Sequence, residues 1–451
     1  MKFNLRKVHK VINTSISLTL TVLVALVLRH LAPTCAGLAM ANQFVFTNWV
    51  SMEALRLLIN KLEVAQFFNT EYNKEFDKEF PVGATVQVKL PQRFLIRNGL
   101  GYTPQPINRL AVTVNCNLIK GVDFEWDSIE KALEMERSKE EISKQYIEPA
   151  VAQIAQQIDS DAALFAYQNM NNIVGQLGVD PNTTTTFMQA RQRLIELACP
   201  PSGEKGVLVP PAVNTALVPA LQTLFNPSSD ISRQYKQGSI GKLNGFDWYE
   251  SMSLHRHTAG TVAGAFTVAV APVSGSNTLT VNLTAGDTLN VGDVINIAAV
   301  NQVNPMTREV LTTVLKQFVI LQPITAVGGG ADVLSLSPTI YGPGSQYQNV
   351  DALPAVGAVI TLFPGTAAPN GKSSAQGLVL HPDAFAMVGV KLEIPKAVEI
   401  ASQTRDPETG IAIRFIRAFD PVQSRMINRW DVLYGFGGLY PDNCGVRVLC
   451  A

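Results

Sequence analysis

Charge is scarce in this sequence: 16% of its residues are charged, against 47% hydrophobic. Histidine is scarcer still, with five in 451 residues, and His9 and His30 lie in a segment unlike the rest of the chain. Cysteine also numbers five, and no two cysteines form a CxxC pair. There is no HExxH, no GxSxG and no dinucleotide fingerprint. Gly328-Gly329-Gly330 lacks a following Lys-Ser/Thr, so it reads as a turn rather than a phosphate loop. These gaps remove the residue sets that metal-dependent, acyl-transfer and nucleotide-dependent chemistry need. Chain length is all that is left to suggest an enzyme, and no cofactor is expected.

What is present is enough apolar material for two or three packed domains. The 36 bases and 36 acids cancel overall but are unevenly placed. Residues 1–40 carry Lys2, Arg6, Lys7, Lys10 and Arg29 and no acid, leaving 31 bases against 36 acids elsewhere. A mildly acidic body is a poor candidate for tight nonspecific binding to phosphates, so if it encloses DNA it should do so without sticking to it.

Val11–Leu28 is an uncharged run of 18 residues that ends at Arg29 and His30. It reads as a marginal membrane helix, as a secretory signal with small residues around Ala36 and Ala39-Met40-Ala41, or as a segment outside the working protein. The last reading is favoured, because Met40-Ala41-Asn42 makes an ordinary translation start and the globular pattern begins directly after it. Beyond Met40 lie Cys116, Cys199, Cys444 and Cys450, too few and too scattered for a disulfide scaffold. A reduced compartment, with the thiols acting as small apolar residues, is the plainer inference and weighs against export.

Trp49 to Phe80 is helical in pattern, with Leu55, Leu58, Ile59, Leu62 and Val64 near one face. Pro81-Val82-Gly83 breaks it. Val86, Val88 and Leu90 then alternate with polar residues, a polar stretch runs from Asn98 to Asn108, and Leu110, Val112 and Val114 alternate again. That is an extended β-hairpin, marginal by itself and sensible if it lies on a neighbouring subunit. Ser128 to Met170 is the longest helical stretch; Pro149 is tolerated if it opens a second helix at its first turn. From there Val151, Ile154, Ile158, Ala162 and Phe165 hold one face, and Gln153, Gln156, Gln157, Asp159 and Asp161 the other. A shorter helix is expected at 187–198, a buried strand at 206–209, a helix at 210–224 and a strand with alternate aromatics at 245–251.

From Thr261 to about Gly365 charge nearly disappears and Val, Thr, Ala, Gly and Asn dominate. Six strand-like runs recur, at 265–271, 278–283, 294–297, 317–320, 333–336 and 359–362, separated by Gly-containing turns. Such spacing argues for a small β-barrel or sandwich. The mixed α/β pattern resumes at Leu378, so the β unit is an insertion in a discontinuous parent.

The chemical candidates are weak. His255-Arg256-His257 would place both imidazoles on one face of a strand, as a metal pair requires, but no third ligand is suggested and an exposed strand end is the favoured reading. His381-Pro382-Asp383 reads as a helix-start turn. Glu134, Glu136, Glu140 and Glu141 interleave with Lys131, Arg137, Lys139 and Lys144 as a solvated helix face.

The order of these pieces resembles the major capsid proteins of tailed bacteriophages, and most of all the short-tailed phage coat proteins that carry an inserted β-barrel. The resemblance is carried by Met40-Ala41-Asn42 with Glu53-Ala54-Leu55 and Glu75-Phe76, and by the hairpin from Pro81 to Asp123. It continues through Ile147-Glu148-Pro149-Ala150-Val151 to Ile158-Asp159, and through Gly238-Ser239-Ile240-Gly241 with Gly245–Ser251. Asn290–Ile295, Leu336-Ser337-Pro338 and Asn349-Val350 complete it. The departure is residues 1–40.

The resemblance implies an α+β phage capsid fold in these parts: a doubtful extension (1–40), an N-terminal arm (41–80), an extended hairpin loop (81–127) and a spine-helix region (128–205). A discontinuous central α/β domain (206–260 and 366–451) with an inserted all-β barrel (261–365) completes it. It implies a shell of pentamers and hexamers built from this chain, enclosing DNA without sequence-specific binding. Scaffolding and portal proteins are the implied partners, assembly is in the bacterial host cytoplasm, and no functional membrane association is expected. Arg93 and Arg97, near the hairpin tip, are candidates for intersubunit ion pairs, with a solvated loop as the equal alternative. The rival reading is an exported or surface-anchored β-rich structural or adhesion protein, which would explain residues 1–40 but not the charged helices or the arm-like hairpin.

Overall fold

The computed structural model describes residues 51–72, 85–97, 99–102, 104–107, 110–127, 143–221, 241–328, 332–363, 370–395, 398, 400–407, 409–422 and 425–451. Residues 1–50, the breaker Pro81-Val82-Gly83 and the charge run at 131–141 lie outside them, and everything below concerns the described residues.

The hairpin forms where alternation placed it. Thr85–Lys89 runs antiparallel to Ala111–Asp127, in register from Thr85↔Asn115 to Lys89↔Ala111. Its second strand is much longer than expected because it leaves its first partner and continues along Arg425–Gly438, from Asn115↔Phe436 to Asp127↔Arg425. The ribbon is therefore the margin of a six-stranded sheet, which continues through Ala412–Asp420 to Ile400–Arg405, with Phe385–Val390 also paired to Arg425–Gly438. Gly435 belongs at this crossing, since a Cβ there would run into the backbone of Asn115 and Cys116.

A second sheet orders Ile173–Val174, Gly445–Leu449, Ser373–Leu380, Gly206–Val209, Phe246–Glu250 and Lys242–Leu243, with Arg256–Thr258 paired to Ser373–Leu380. Gly206–Val209 and Gly445–Leu449 are buried along their whole length. Strands covered on both faces read as unbroken apolar runs, which is why 206–209 was legible.

The long helix, Glu148–Asn169, follows a π-helical turn at Ser143–Ile147 and takes Pro149 in its first turn. There the missing N–H costs nothing, because the first amides of a helix have no partner within it. Val151, Ile154, Ile158 and Ala162 are buried as expected, in one core with Val379 and Val446 of one sheet and Val432 and Tyr434 of the other. Each of these valines and isoleucines is worth about 1.5–3 kcal/mol of burial.

Two expectations fail here for one reason. Among the described residues the first helix ends at 61 instead of running on toward Phe80, and Asp159, expected on the solvent face, is buried. The Asp159 carboxylate accepts the N–H groups of Glu63 (2.8 Å), Val64 (3.0 Å) and Ala65 (2.9 Å). Amides held this way turn the chain out of its helix. Burial pushes the Asp159 carboxyl up to about 6, with the three N–H groups pulling the other way. Residues 185–196 and 211–221 form further helices, close to where periodicity put them.

Six strands close into a barrel in the order Val294–Val303, Val310–Ile320, Asp332–Ile340, Ser276–Asn282, Phe266–Val270 and Val359–Leu362. Each contains or overlaps one of the six expected runs, and closure decides for a barrel over a sandwich. The barrel has its own apolar core, including Val268, Ile297, Phe318, Leu334 and Ile360.

The barrel does not hang loosely. Its incoming and outgoing segments are joined by Asn370, which accepts from Val262 N (3.1 Å) and donates to Val262 O (2.7 Å). Gln317 plays the part of a missing strand neighbour: its side chain accepts from Ile173 N (2.8 Å) and donates to Ile173 O (3.2 Å). Arg447 is fully buried and donates to Gly292 O at 2.9 Å. Gly292 sits at φ +91°, and a Cβ there would meet the Tyr167 ring of the long helix.

Candidate assembly surface

A loop joins the hairpin strands, and its residues at 90–107 spend their polar groups on one another. Leu90 N donates to Leu110 O (2.9 Å), extending the ladder by one rung. Gln105 clamps Leu95 from both sides, accepting from its N–H (2.8 Å) and donating to its carbonyl (2.6 Å). Arg97 Nη1 donates to the carbonyls of Gly99 (2.5 Å) and Gly101 (2.7 Å), so this exposed guanidinium braces its own tip.

The apolar side chains of the same loop have nowhere to go. Phe94, Ile96, Leu100, Tyr102 and Ile107 are exposed, Leu100 completely. The stretch expected to be polar, 98–108, thus displays Leu100, Tyr102 and Ile107, and Phe94 and Ile96 stand exposed just before it. Several large apolar side chains exposed on one short loop make that loop a candidate interaction surface. Arg93 and Arg97 are conspicuous in the sequence; the apolar residues between and after them are the better signal.

Arg93 faces the other way. It lines a cavity of about 270 Å³ together with Lys316, Tyr440 and Asn443, and donates to the Asn443 amide oxygen at 2.9 Å when that amide is turned to suit its neighbours. Gln346, on the barrel side, donates to Pro106 O at 3.1 Å and ties the loop to the barrel. Lys316 is fully buried, and burial pushes its ammonium down to about 8, with Arg193 and Arg93 adding repulsion and Asp442 opposing them. The two candidate arginines are therefore not brought together: Arg97 stays at the tip and Arg93 turns into the chain's own cavity.

The histidine cluster is corrected in one respect. Arg256 is exposed, but His257 is buried, because the insertion supplies Asp293 as its partner. His255 bonds to Ser160, and both rings lie against Tyr167. His381 begins a helical turn, Pro382–Ala384, as expected, with its ring accepting from Asp383 N at 3.2 Å. The four described cysteines are all buried and free.

A family model described as P22 coat protein, gene protein 5, matches residues 104–449. The chain belongs to the P22 coat protein family. Its role is therefore that of a structural capsid subunit that assembles with copies of itself into the shell of a bacteriophage virion. The exported-protein reading loses its footing with this match. Family and fold alike are those of a structural protein.

Three solved structures illustrate the likeness. Mycobacterium phage Che8 is 13% identical, over 86% of this chain and 90% of that one, with a TM-score of 0.42. The capsid of cyanophage P-SCSP1u is 12% identical over 85% and 86%, with a TM-score of 0.39. The capsid of Ralstonia phage GP4 is 6% identical over 86% and 88%, with a TM-score of 0.42. Such scores carry no weight of their own, and the assignment rests on the family match. No curated protein matches the chain.

Proposed function

We propose that this chain, with no catalytic activity of its own, closes into an icosahedral shell of pentamers and hexamers around phage DNA. Its hairpin loop lies across a neighbouring copy. The observation that supports the loop's role is the exposed row Phe94, Ile96, Leu100, Tyr102 and Ile107 on a hydrogen-bonded tip. Burying such side chains against a neighbour supplies area that the subunit alone leaves in water, as large permanent interfaces do. Arg97 would stand at the rim of this contact, where ion pairs contribute little. Arg93 would fix the loop's root from below, so the proposed intersubunit role passes mainly to the apolar residues.

The division expected from the sequence is kept as a division of labour. The arm (41–80) leads into the hairpin loop (81–127), which lies across a neighbour; the spine region (128–205) is the stiff member of each subunit, and the barrel (261–365), inserted in the central unit (206–260 and 366–451), sits on the shell surface and helps fix subunit conformation. Residues 1–40 are left outside the working shell, with no membrane role. Assembly takes place in the host cytoplasm with scaffolding and portal proteins, and the acid excess beyond Met40 disfavours tight nonspecific binding to the DNA enclosed.

The test is Leu100→Asp in the chain expressed from Met40, viewed by negative-stain electron microscopy with a scaffolding partner. A fully exposed leucine leaves monomer stability within about 0.5 kcal/mol. Closed shells from the parent and none from the folded variant are expected. Normal shells from Leu100→Asp and Ile96→Asp together would overturn the loop's role.

A further inference from the structure

Three segments of the second sheet end at the same place. Strand Ser373–Leu380 pairs with Gly445–Leu449 so that Leu380 faces Gly445, and with Gly206–Val209 so that Leu380 also faces Gly206. One residue past the first pair, His381 and Cys444 are cross-strand neighbours, and His381 N donates to Cys444 O at 3.0 Å. The loop that leads into Gly206 carries Cys199 and wraps over the histidine ring: His381 Nε2 donates to Ser202 O at 2.6 Å. Gly203 is required there, since a Cβ would press into that ring. All three side chains are buried, their ligand atoms lie within 4.8 Å of one another, and the two thiols share a hydrogen bond.

We propose that Cys199, His381 and Cys444 bind a zinc-class metal ion that braces the C-terminal strand to the loop before Gly206. Two thiolates and an imidazole are the donor set of such sites, which are four-coordinate. Because a carbonyl only accepts, the bond to Ser202 O puts the histidine proton on Nε2 and leaves Nδ1 with its lone pair. A ring N–H held by a backbone carbonyl is the usual support of a ligating histidine. The 3.2 Å bond from Asp383 N to Nδ1 is the contact the ion would displace. The Asp383 carboxylate, 3.6 Å from Nδ1, is placed to complete the set. Binding releases one proton from each thiol, so the neutral pair becomes a dithiolate balanced by the divalent ion.

The site is independent of the shell reading, since it lies within one subunit. The test is elemental analysis by mass spectrometry of the full chain purified without chelator, followed by cobalt(II) titration of the metal-stripped protein. About one zinc per chain is expected, along with a thiolate-to-cobalt charge-transfer band that Cys199→Ser and Cys444→Ser each abolish. The titration of unsubstituted protein stands by itself if a serine variant fails to fold. Folded protein that contains no zinc and gives no cobalt band overturns the proposal, and so does a Cys199–Cys444 disulfide in the freshly purified chain.

Discussion

His257 Nε2 donates to Asp293 Oδ1 at 2.9 Å, across the line where the barrel meets the body. The other carboxylate oxygen accepts from Gly260 N at 3.0 Å and Asn290 N at 2.7 Å. One buried acid thus closes the turn before Val294–Val303 and fastens that turn to Arg256–Thr258 on the body.

Asp293→Ala is expected to destabilise the chain by about 2–4 kcal/mol, because it leaves buried donors without acceptors. Urea unfolding measures the loss, and hydrogen exchange at Gly260 and Asn290 shows where it falls. A loss near zero with both amides still protected would mean that the other ties, Gln317 and Arg447 among them, seat the barrel without Asp293.

The barrel was legible because its signals are local: period-two alternation, nearly no charge, and glycine at the turns, as at Gly275 (φ +95°). Asp159 was not legible, since its neighbours place it on a polar face and only the turn 94–96 residues away buries it. The long strand Arg425–Gly438 was hidden for a related reason. It alternates exposed Arg425, Ile427 and Arg429 with buried residues, and its partner Ala111–Asp127 is some 300 positions distant. The hairpin itself could be read, but its sheet could not. The metal-ligand trio was invisible because Cys199, His381 and Cys444 become neighbours only through strand register.

Tyr434 links the long helix to the same long strand, donating to Asp161 Oδ2 at 2.5 Å from a fully buried position. Burial and the acid both push its hydroxyl proton well above the ordinary tyrosine range. Tyr434→Phe keeps the ring packing and removes only this bond, so a loss of about 1.5–3 kcal/mol is expected. Chemical denaturation of the unassembled subunit tests it; an unchanged midpoint would show that Lys120 Nζ, 3.6 Å from Oδ2, and Gln157 Nε2, donating to Oδ1 at 2.8 Å, satisfy Asp161 by themselves.

Lys316 is the residue whose replacement should strengthen the fold. Its ammonium is fully buried and titrates at about 8, below the unfolded value near 10.4. A lysine lowered in this way binds its proton less tightly in the folded chain. The penalty is complete below about pH 8, where both states are charged, and disappears as pH rises toward the unfolded value. Lys316→Met fills similar volume without the charge, and is expected to gain about 3 kcal/mol at pH 7. That gain should shrink steadily between about pH 8 and 10.5 as the parent lysine loses its proton in the unfolded chain as well. Urea unfolding of the two proteins across this range reads both quantities. If the variant is no more stable at pH 7, the cavity beside Arg93 hydrates the ammonium well enough to cancel its burial.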